Sequence, residues 1–247
     1  MRLDGKTAIV TGGASGFGAG IVRKFAAEGA RVMIVDLNAD GADGLAEEVG
    51  GGAFGYACNV ANGGAVADMA ETALSRMGHV DILVNNAGVT HMPKPMEDVT
   101  DEEFDHVFLV NCKSVYLTAR ALVPHMKPRG GAILNVASTA GLSPRPNLNW
   151  YNASKGWMIT ATKTMAVELA PRQVRVNALC PVAGETPLLA SFMGEDTPEM
   201  RAKFLSTIPI GRFSTPEDMG NAACFLCSDE ASMITGVAME VDGGRCI

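Results

Sequence analysis

A tyrosine and a lysine four residues apart, Tyr151 and Lys155, have the side chains best suited to proton transfer in this chain. Residues 149–170 contain few helix breakers before Pro171, so both side chains should leave the same face of one helix. A free tyrosine titrates at ~10, and a neighbouring ammonium favours the phenolate and lowers that pKa. The same spacing is common on solvated helix faces, so its meaning depends on the rest of the chain.

A glycine-rich turn follows the first predicted strand. Gly12, Gly16 and Gly18 fall between this strand and a helix, where missing side chains let a pyrophosphate approach the backbone and the helix N-terminus. Asp36 ends the second predicted strand, and a carboxylate there can hold both ribose hydroxyls and repels a 2′-phosphate. No basic residue stands at Ser15 or follows Asp36 directly. The pattern predicts dinucleotide binding, with NAD favoured over NADP.

Short apolar runs alternate with helical patterns along the whole chain, which predicts a parallel sheet covered by helices. The fold class is therefore α/β, a single-domain Rossmann-type doubly wound parallel sheet of about seven strands with helices on both faces. The domain should span residues 1–247, and the Pro-, Gly- and Met-rich residues 182–209 suit a substrate lid. The predicted strands are 7–10, 32–35, 54–57, 82–84, 132–136, 175–179 and 237–241; the predicted helices are 18–28, 38–49, 64–77, 101–126, 149–170 and 215–228.

The composition excludes several classes of partner. A formal net charge of −7 leaves no basic stripe for nucleic acid. No run of about 18 apolar residues occurs, so we expect no membrane segment and a cytoplasmic protein. The six cysteines lie in hydrophobic contexts typical of reduced, buried thiols. Cys224 and Cys227 form a C-x-x-C without a second pair or a nearby histidine, so no metal site is expected.

Five motifs in a fixed order resemble the short-chain dehydrogenase/reductase family, in its branch of about 250 residues. The likeness runs from Gly5 to the closing Asp242-Gly243-Gly244. The motifs are Thr11-Gly12-x-x-x-Gly16-x-Gly18, Asn85-Asn86-Ala87-Gly88, Asn111, Ser138 and Tyr151-x-x-x-Lys155.

The resemblance implies a role for each catalytic residue. Tyr151 is the acid/base for an alcohol–carbonyl pair, and Lys155 lowers its pKa and binds the nicotinamide ribose. Ser138 hydrogen-bonds the substrate oxygen, and Asn111 anchors a water that links Lys155 to solvent. The implied cofactor-binding residues are Gly12, Ser15, Gly16, Phe17, Gly18, Asp36, Leu37, Asn59, Val60, Asn86, Ala87, Gly88, Tyr151, Lys155, Pro181 and Thr186.

Two positions depart from the family pattern. Asn59 stands where an aspartate is usual, which weakens adenine contacts at most. Val182 follows Pro181 where glycine is usual, and valine restricts the backbone beside the nicotinamide. The substrate pocket is expected to include His91, Ser138, Arg145, Asn149, Glu185 and Met193, which lie in loops after strands or near Tyr151.

The sequence therefore predicts an NAD-dependent oxidoreductase (EC 1.1.1.-) that interconverts a small alcohol and a carbonyl compound. Members of the family are usually homotetramers that pair their long helices. Two alternatives stay open. One is an NADP-dependent 3-oxoacyl-carrier-protein reductase, which Asp36 disfavours. The other is a non-catalytic NAD-sensing protein, which has no chemical need for Ser138, Tyr151 and Lys155 together.

Overall fold

The computed structural model describes residues 1–126 and 129–247 and contains one seven-stranded parallel sheet. Its strand order is β3-β2-β1-β4-β5-β6-β7, which confirms the predicted Rossmann-type doubly wound sheet. Every strand pair is parallel. The strands are β1 (Thr7–Thr11), β2 (Arg31–Asp36), β3 (Phe54–Ala57), β4 (Ile82–Asn85), β5 (Gly131–Val136), β6 (Val174–Pro181) and β7 (Ala238–Val241).

Helices cover both faces of the sheet. Alternate strand residues point to opposite faces, so Val10 and Ile34 pack under one helical layer while Ile9 and Met33 pack under the other. The helices are α1 (Gly16–Ala27), α2 (Ala39–Val49), α3 (Gly63–Met77), α4 (Asp101–Phe108), α5 (Ser114–Met126), α6 (Asn149–Leu169), α7 (Leu189–Met193), α8 (Pro198–Leu205) and α9 (Pro216–Cys227).

The predicted helix ends are set by side-chain caps. Thr100 and Glu103 form a reciprocal capping box at the start of α4. Thr215 and Asp218 form another at the start of α9, where Pro216 occupies the first turn. α1 and α9 lie against each other, and a Cβ at Gly20 would come within 2.1 Å of the Pro216 carbonyl oxygen. Glycine is therefore required for this close helix contact.

The predicted single helix over residues 101–126 is interrupted in the structure. A π-helical turn, Leu109–Lys113, separates α4 from α5. Such turns insert one residue into the helical hydrogen-bond pattern and occur often at functional sites. The inserted turn carries Asn111, whose side chain is fully buried.

Residues 182–209 contain two short helices, α7 and α8, where the sequence showed only weak periodicity. Their apolar side chains form a separate cluster, so this segment has a small core of its own. That cluster contains Val182, Leu189, Met193, Phe204, Ile208 and Phe213. Over the described ranges, no helix has the length and apolar character required to cross a membrane.

Candidate active site

A cleft of about 680 Å³ opens at the carboxyl ends of the parallel strands. Asp36, Asn86 and Pro181 line it from the ends of β2, β4 and β6, and Ser138 lies just beyond β5. Ligands of open α/β sheets bind at this edge, outside the carboxyl ends of the strands. The fold therefore brings the predicted motifs, which are far apart in sequence, to one cavity.

The glycine turn lies tightly against the loop after β4. Gly12 has φ +61°, and a Cβ there would come within 2.9 Å of the Ala87 Cα. Asn86 fixes the turn, because its side-chain amide donates to the carbonyl oxygens of Thr11 and Gly12, each at 2.9 Å. Gly18 does not line the cavity; a Cβ there would meet the Gly12 carbonyl oxygen at 2.0 Å. This bare backbone cradle at the start of α1 fits a pyrophosphate.

Asp36 lies on the rim of the same cleft. Its carboxylate accepts hydrogen bonds from the backbone amides of Ala14 at 3.0 Å and Asn38 at 3.1 Å. These contacts hold the negative charge beside the glycine turn. The position fits the ribose hydroxyls of a dinucleotide and opposes a 2′-phosphate.

Tyr151 and Lys155 both line the cavity from buried positions on α6. The Lys155 ammonium lies 5.8 Å from the centre of the Tyr151 ring and donates to the Val136 carbonyl oxygen at 2.9 Å. Ser138 is also buried and lines the same cavity, and its side chain lies close enough to the Tyr151 hydroxyl to favour a lower pKa of that group. The arrangement places a proton donor and a second hydroxyl at one point of the cleft wall.

The pKa of Tyr151 differs from the sequence-based expectation. Burial raises the pKa of Tyr151 to about 12, although the nearby Ser138 side chain opposes this change. Burial also lowers the pKa of Lys155 to about 8. Desolvation disfavours both charged forms, so in this structure the phenol is protonated at neutral pH and most of the lysine is charged.

Asn111 lies behind the cavity wall rather than on it. Its amide oxygen accepts from the Val89 backbone amide at 2.9 Å, and its amide nitrogen donates to the Val89 carbonyl and to the Ser154 hydroxyl, each at 2.9 Å. A Cβ at Gly88 would meet the Lys155 nitrogen at 3.3 Å and the Asn111 oxygen at 3.4 Å. Asn111 and Lys155 therefore approach the same glycine from two helices.

The remaining predicted cofactor residues lie along the cleft, and so does Arg145. Asn59 uses its side-chain oxygen to accept from the Ala61 amide, and Val182 is buried in the apolar cluster of residues 182–209. The cavity residues that match the cofactor prediction are Gly12, Ser15, Gly16, Phe17, Asp36, Leu37, Asn59, Val60, Asn86, Ala87, Gly88, Tyr151, Lys155, Pro181 and Thr186.

Four residues expected in the substrate pocket do not line the cavity. The His91 ring is buried against its own loop, with Nδ1 2.9 Å from the Met92 carbonyl oxygen. Met193 is buried in the cluster of residues 182–209, because α7 turns its side chain inward. Asn149 is exposed at the start of α6. Glu185 lies in a separate surface depression that also contains Asp196 and Arg201.

Sequence reasoning missed several residues that do line the substrate end of the cleft. Phe192 meets the Tyr151 ring edge-on, with 5.1 Å between ring centres. Asn152 follows Tyr151 directly, and its side-chain amide donates to the Arg145 carbonyl oxygen at 2.7 Å. Proximity to Tyr151 could have indicated Asn152. No sequence signal indicated Phe192 or Phe204, because helices α7 and α8 are short.

Known proteins resemble this chain over nearly its whole length. The family model described as "Enoyl-(Acyl carrier protein) reductase" matches residues 12–245. The 4-formylbenzenesulfonate dehydrogenase of Comamonas testosteroni is 50% identical over 252 residues, which cover all of both chains. The crystal structure of a 3-ketoacyl-(acyl-carrier-protein) reductase from Brucella melitensis, complexed with NADH, superposes with a TM-score of 0.95 at 52% identity, covering 99% of this chain and 100% of that one.

A 7α-hydroxysteroid dehydrogenase solved with NADH and 7-oxo glycochenodeoxycholic acid superposes with a TM-score of 0.93 at 38% identity, covering 98% of this chain and 95% of that one. The length, the parallel sheet and the ordered motifs of the present chain agree with these matches. The chain therefore belongs to the short-chain dehydrogenase/reductase family and is an oxidoreductase of the EC 1.1.1.- class.

Proposed function

We propose that this protein is an NAD-dependent dehydrogenase/reductase that interconverts a small alcohol and its carbonyl compound. The observation that carries the proposal is the meeting of Ser138, Tyr151 and Lys155 at one point of a cleft whose other end carries Asp36. Proton transfer and dinucleotide binding are thereby combined in one cavity. The alternating helices and strands support a single domain over residues 1–247.

The residues divide the proton chemistry among them. In the reduction direction, the Ser138 hydroxyl holds the carbonyl oxygen, where negative charge develops. Tyr151 donates its phenolic proton to that oxygen, and Lys155 stabilises the resulting phenolate. A bound nicotinamide would supply the hydride to the carbonyl carbon. In the oxidation direction, Tyr151 accepts the alcohol proton.

Asn111 is proposed to act behind these residues. Its amide nitrogen donates to Val89 and Ser154, and its oxygen accepts from Val89 and keeps a second lone pair for a water. Ser154 lies one residue before Lys155 on α6. This contact fixes the π-helical turn against α6. The predicted water between Asn111 and Lys155 would give the lysine a proton path to solvent.

Asp36 supports NAD rather than NADP as the cofactor. The carboxylate is fixed at the end of β2, and neither Ser15 nor Leu37, which line the cleft around it, carries a positive charge. A 2′-phosphate would meet this negative charge without a compensating arginine. NADH is also the cofactor in the Brucella melitensis and 7α-hydroxysteroid dehydrogenase complexes.

The substrate is proposed to be a small secondary, sugar-like or aromatic alcohol, or the matching carbonyl compound. Relatives named for an aromatic aldehyde, a steroid and D-threitol support this broad class. The 3-oxoacyl-carrier-protein reductase is the second candidate, because the Brucella melitensis protein carries that activity in its name. The acidic net charge disfavours it, since an acidic carrier protein requires a basic docking surface.

Residues 182–209 are proposed to form a substrate lid. Phe192 of α7 touches the Tyr151 ring, and Phe204 of α8 also lines the cleft. Movement of this segment would open or cover the substrate end of the cavity. We further propose a homotetramer and a cytoplasmic location, a reducing compartment that would keep cysteines such as Cys180 and Cys227 as thiols.

A charge change at Asp36 tests the cofactor assignment. Asp36→Asn keeps one of the two oxygen acceptors for the backbone amides and removes the negative charge, so we expect the ratio of kcat/KM for NAD over NADP to fall roughly 10- to 100-fold. The ratio is measured at 340 nm with both cofactors. Asp40→Asn, an exposed change outside the cleft, is the control. An unchanged ratio in Asp36→Asn would refute the assignment.

A further inference from the structure

Two arginines without carboxylate partners lie near the substrate end of the cleft. Arg145 lines the cleft, and Arg245 lies behind Ser143, which also lines it. The Arg145 guanidinium stacks 4.6 Å from the centre of the Phe204 ring, and its Nη2 donates to the Thr207 hydroxyl at 2.8 Å. The Arg245 Nη1 donates to the Ser143 hydroxyl at 3.1 Å. Among the described residues, neither arginine forms an ion pair. Two cations are thus held by neutral groups alone.

Over the described part of the chain, the cleft wall carries no carboxylate beside Arg145. Of the described residues that line the cavity, Asp36 alone carries a carboxylate, and it lies at the end of β2. The segment with Ser143 and Arg145 follows β5, three strands away in the sheet, a separation of about 14 Å at the usual strand spacing. Asp242, in the same turn as Arg245, is occupied by the backbone amides of Gly244 and Cys246.

Both arginines are partly buried and are held without an anion. The Arg245 Nε atom is buried and has no hydrogen-bond partner among the described residues. Desolvation, and next the positive charge of Arg245, lower the pKa of Arg145. Two like charges held close together in partly buried positions repel each other, and a ligand of opposite charge would relieve this repulsion. Guanidinium groups match carboxylate and other oxyanion groups with two parallel hydrogen bonds.

We propose that Arg145 and Ser143, which line the cavity, form with the charge of Arg245 behind Ser143 a recognition site for an anionic group of the substrate, a carboxylate or a sulfonate. The inference rests on the proposed function, because the site shares its cavity with Tyr151. It narrows that function to alcohols or carbonyl compounds that carry a negative charge away from the reacting carbon. Asn152 positions Arg145 by binding its carbonyl oxygen, directly beside Tyr151 in sequence.

Binding to the Tyr151→Phe protein loaded with NADH tests the site without turnover. Three aromatic aldehydes of similar size serve as probes in calorimetry, namely 4-formylbenzenesulfonate, 4-formylbenzoate and neutral 4-methylbenzaldehyde. We expect at least one anionic probe to bind roughly tenfold or more tightly than the neutral one. A preference for sulfonate or for carboxylate then identifies the anion, and either preference supports the site. Equal binding of all three probes would overturn it.

Arginine variants in the same Tyr151→Phe background test whether the tighter binding of anionic probes depends on Arg145 and Arg245. Arg145→Met and Arg245→Met each remove one charge, from separate segments, and should each reduce the anionic preference roughly tenfold. Arg145→Lys keeps the positive charge but lacks the planar guanidinium group, so it should lose part of the anionic preference. Arg172 is an exposed arginine beyond the far end of α6, and Arg172→Met should keep the full anionic preference. NADH binding checks that each variant is folded. An anionic preference that survives both Arg145→Met and Arg245→Met would refute the proposal.

Turnover by the unaltered enzyme separates this inference from the proposed function. If anionic probes bind through the arginines but are neither reduced with NADH nor formed from their alcohols with NAD, the anion site stands and the proposed activity fails with these compounds. If the neutral aldehyde is reduced as efficiently as both charged ones, the activity stands and the anion site is refuted.

Discussion

At the scale of single residues, the site is defined by two buried groups whose charged forms are both disfavoured. Tyr151 has a pKa raised to about 12 and Lys155 a pKa lowered to about 8, in each case chiefly because burial removes water. The phenol therefore carries its proton at neutral pH, as carbonyl reduction requires. The lysine charge that stabilises the product phenolate is present below about pH 8 and is lost above it.

This pair predicts how carbonyl reduction depends on pH. With saturating NADH, kcat/KM should be level up to about pH 8 and then fall roughly tenfold per pH unit, because Lys155 loses its proton while Tyr151 keeps its own. Oxidation of the alcohol should instead rise with pH, since it requires the tyrosine as a base. A reduction profile that stays level to pH 10 would contradict the role given to Lys155.

At the scale of elements, the regular parts of the chain were predictable and the irregular parts were not. Apolar runs predict buried strands such as Thr7–Thr11, and the Thr215 cap predicts the start of α9. The π-helical turn at Leu109–Lys113 leaves the apolar pattern of the long helix nearly unchanged, so only its hydrogen bonds reveal it. α7 and α8 are too short for a periodic signal.

The sequence likewise predicted the residues of ordered motifs in the site but not the full lining of its pocket. Ordered motifs identified Ser138, Tyr151 and Lys155, because each has a distinctive neighbourhood in the sequence. The pocket lining depended on how residues 182–209 fold back over α6, which no local pattern encodes. His91 and Glu185 were therefore predicted in the pocket and lie elsewhere, while Phe192 was missed.

The π-helical turn predicts a combined effect on stability and activity. Asn111→Ala removes three buried hydrogen bonds and leaves Val89 groups unpaired, so we expect a loss of roughly 1–3 kcal/mol in the free energy of unfolding. At this size that lowers Tm by about 2–4 °C per kcal/mol. kcat should fall as well, because the α6 contact beside Lys155 is lost.

An asparagine outside the site provides the matched control. Asn62→Ala removes the exposed N-cap of α3 and should lower the free energy of unfolding by about 1 kcal/mol. Its kcat should be unchanged. Differential scanning calorimetry and steady-state kinetics measure both quantities. If Asn111→Ala unfolds with wild-type Tm and keeps its kcat, the positioning role of the π-helical turn is wrong.

At the scale of the whole molecule, an aromatic row lies exposed across α4 and α6. Phe104 stacks on Phe108 at 6.1 Å and meets Trp150 edge-on at 5.5 Å, and Phe108 meets Trp157 at 6.5 Å. Phe108 is 44% exposed and Trp157 is 38% exposed. Contiguous apolar surface of this kind is typical of protein interfaces. The row supports the proposed pairing of the long helices in a homotetramer.

Light scattering after size-exclusion chromatography tests this assembly. The protein should have the mass of four chains, each of 25.8 kDa. Phe108→Glu places a charge in the row and should shift the mass to a smaller species, whereas Tyr116→Phe should not. A wild-type mass of one chain would contradict the homotetramer, and an unchanged mass for Phe108→Glu would show that the row is not its interface.

The central claim is that Tyr151 transfers the proton in an NAD-dependent alcohol–carbonyl reaction. The most direct test follows NADH at 340 nm with NAD and a panel of secondary, sugar and benzylic alcohols, comparing the wild type with Tyr151→Phe. We expect turnover by the wild type and a loss of roughly 10²–10⁴-fold in the variant, with NADH binding retained and Tyr116→Phe unaffected. Near wild-type turnover by Tyr151→Phe would contradict the mechanism, and tight NADH binding without wild-type turnover on any substrate would favour a sensing protein.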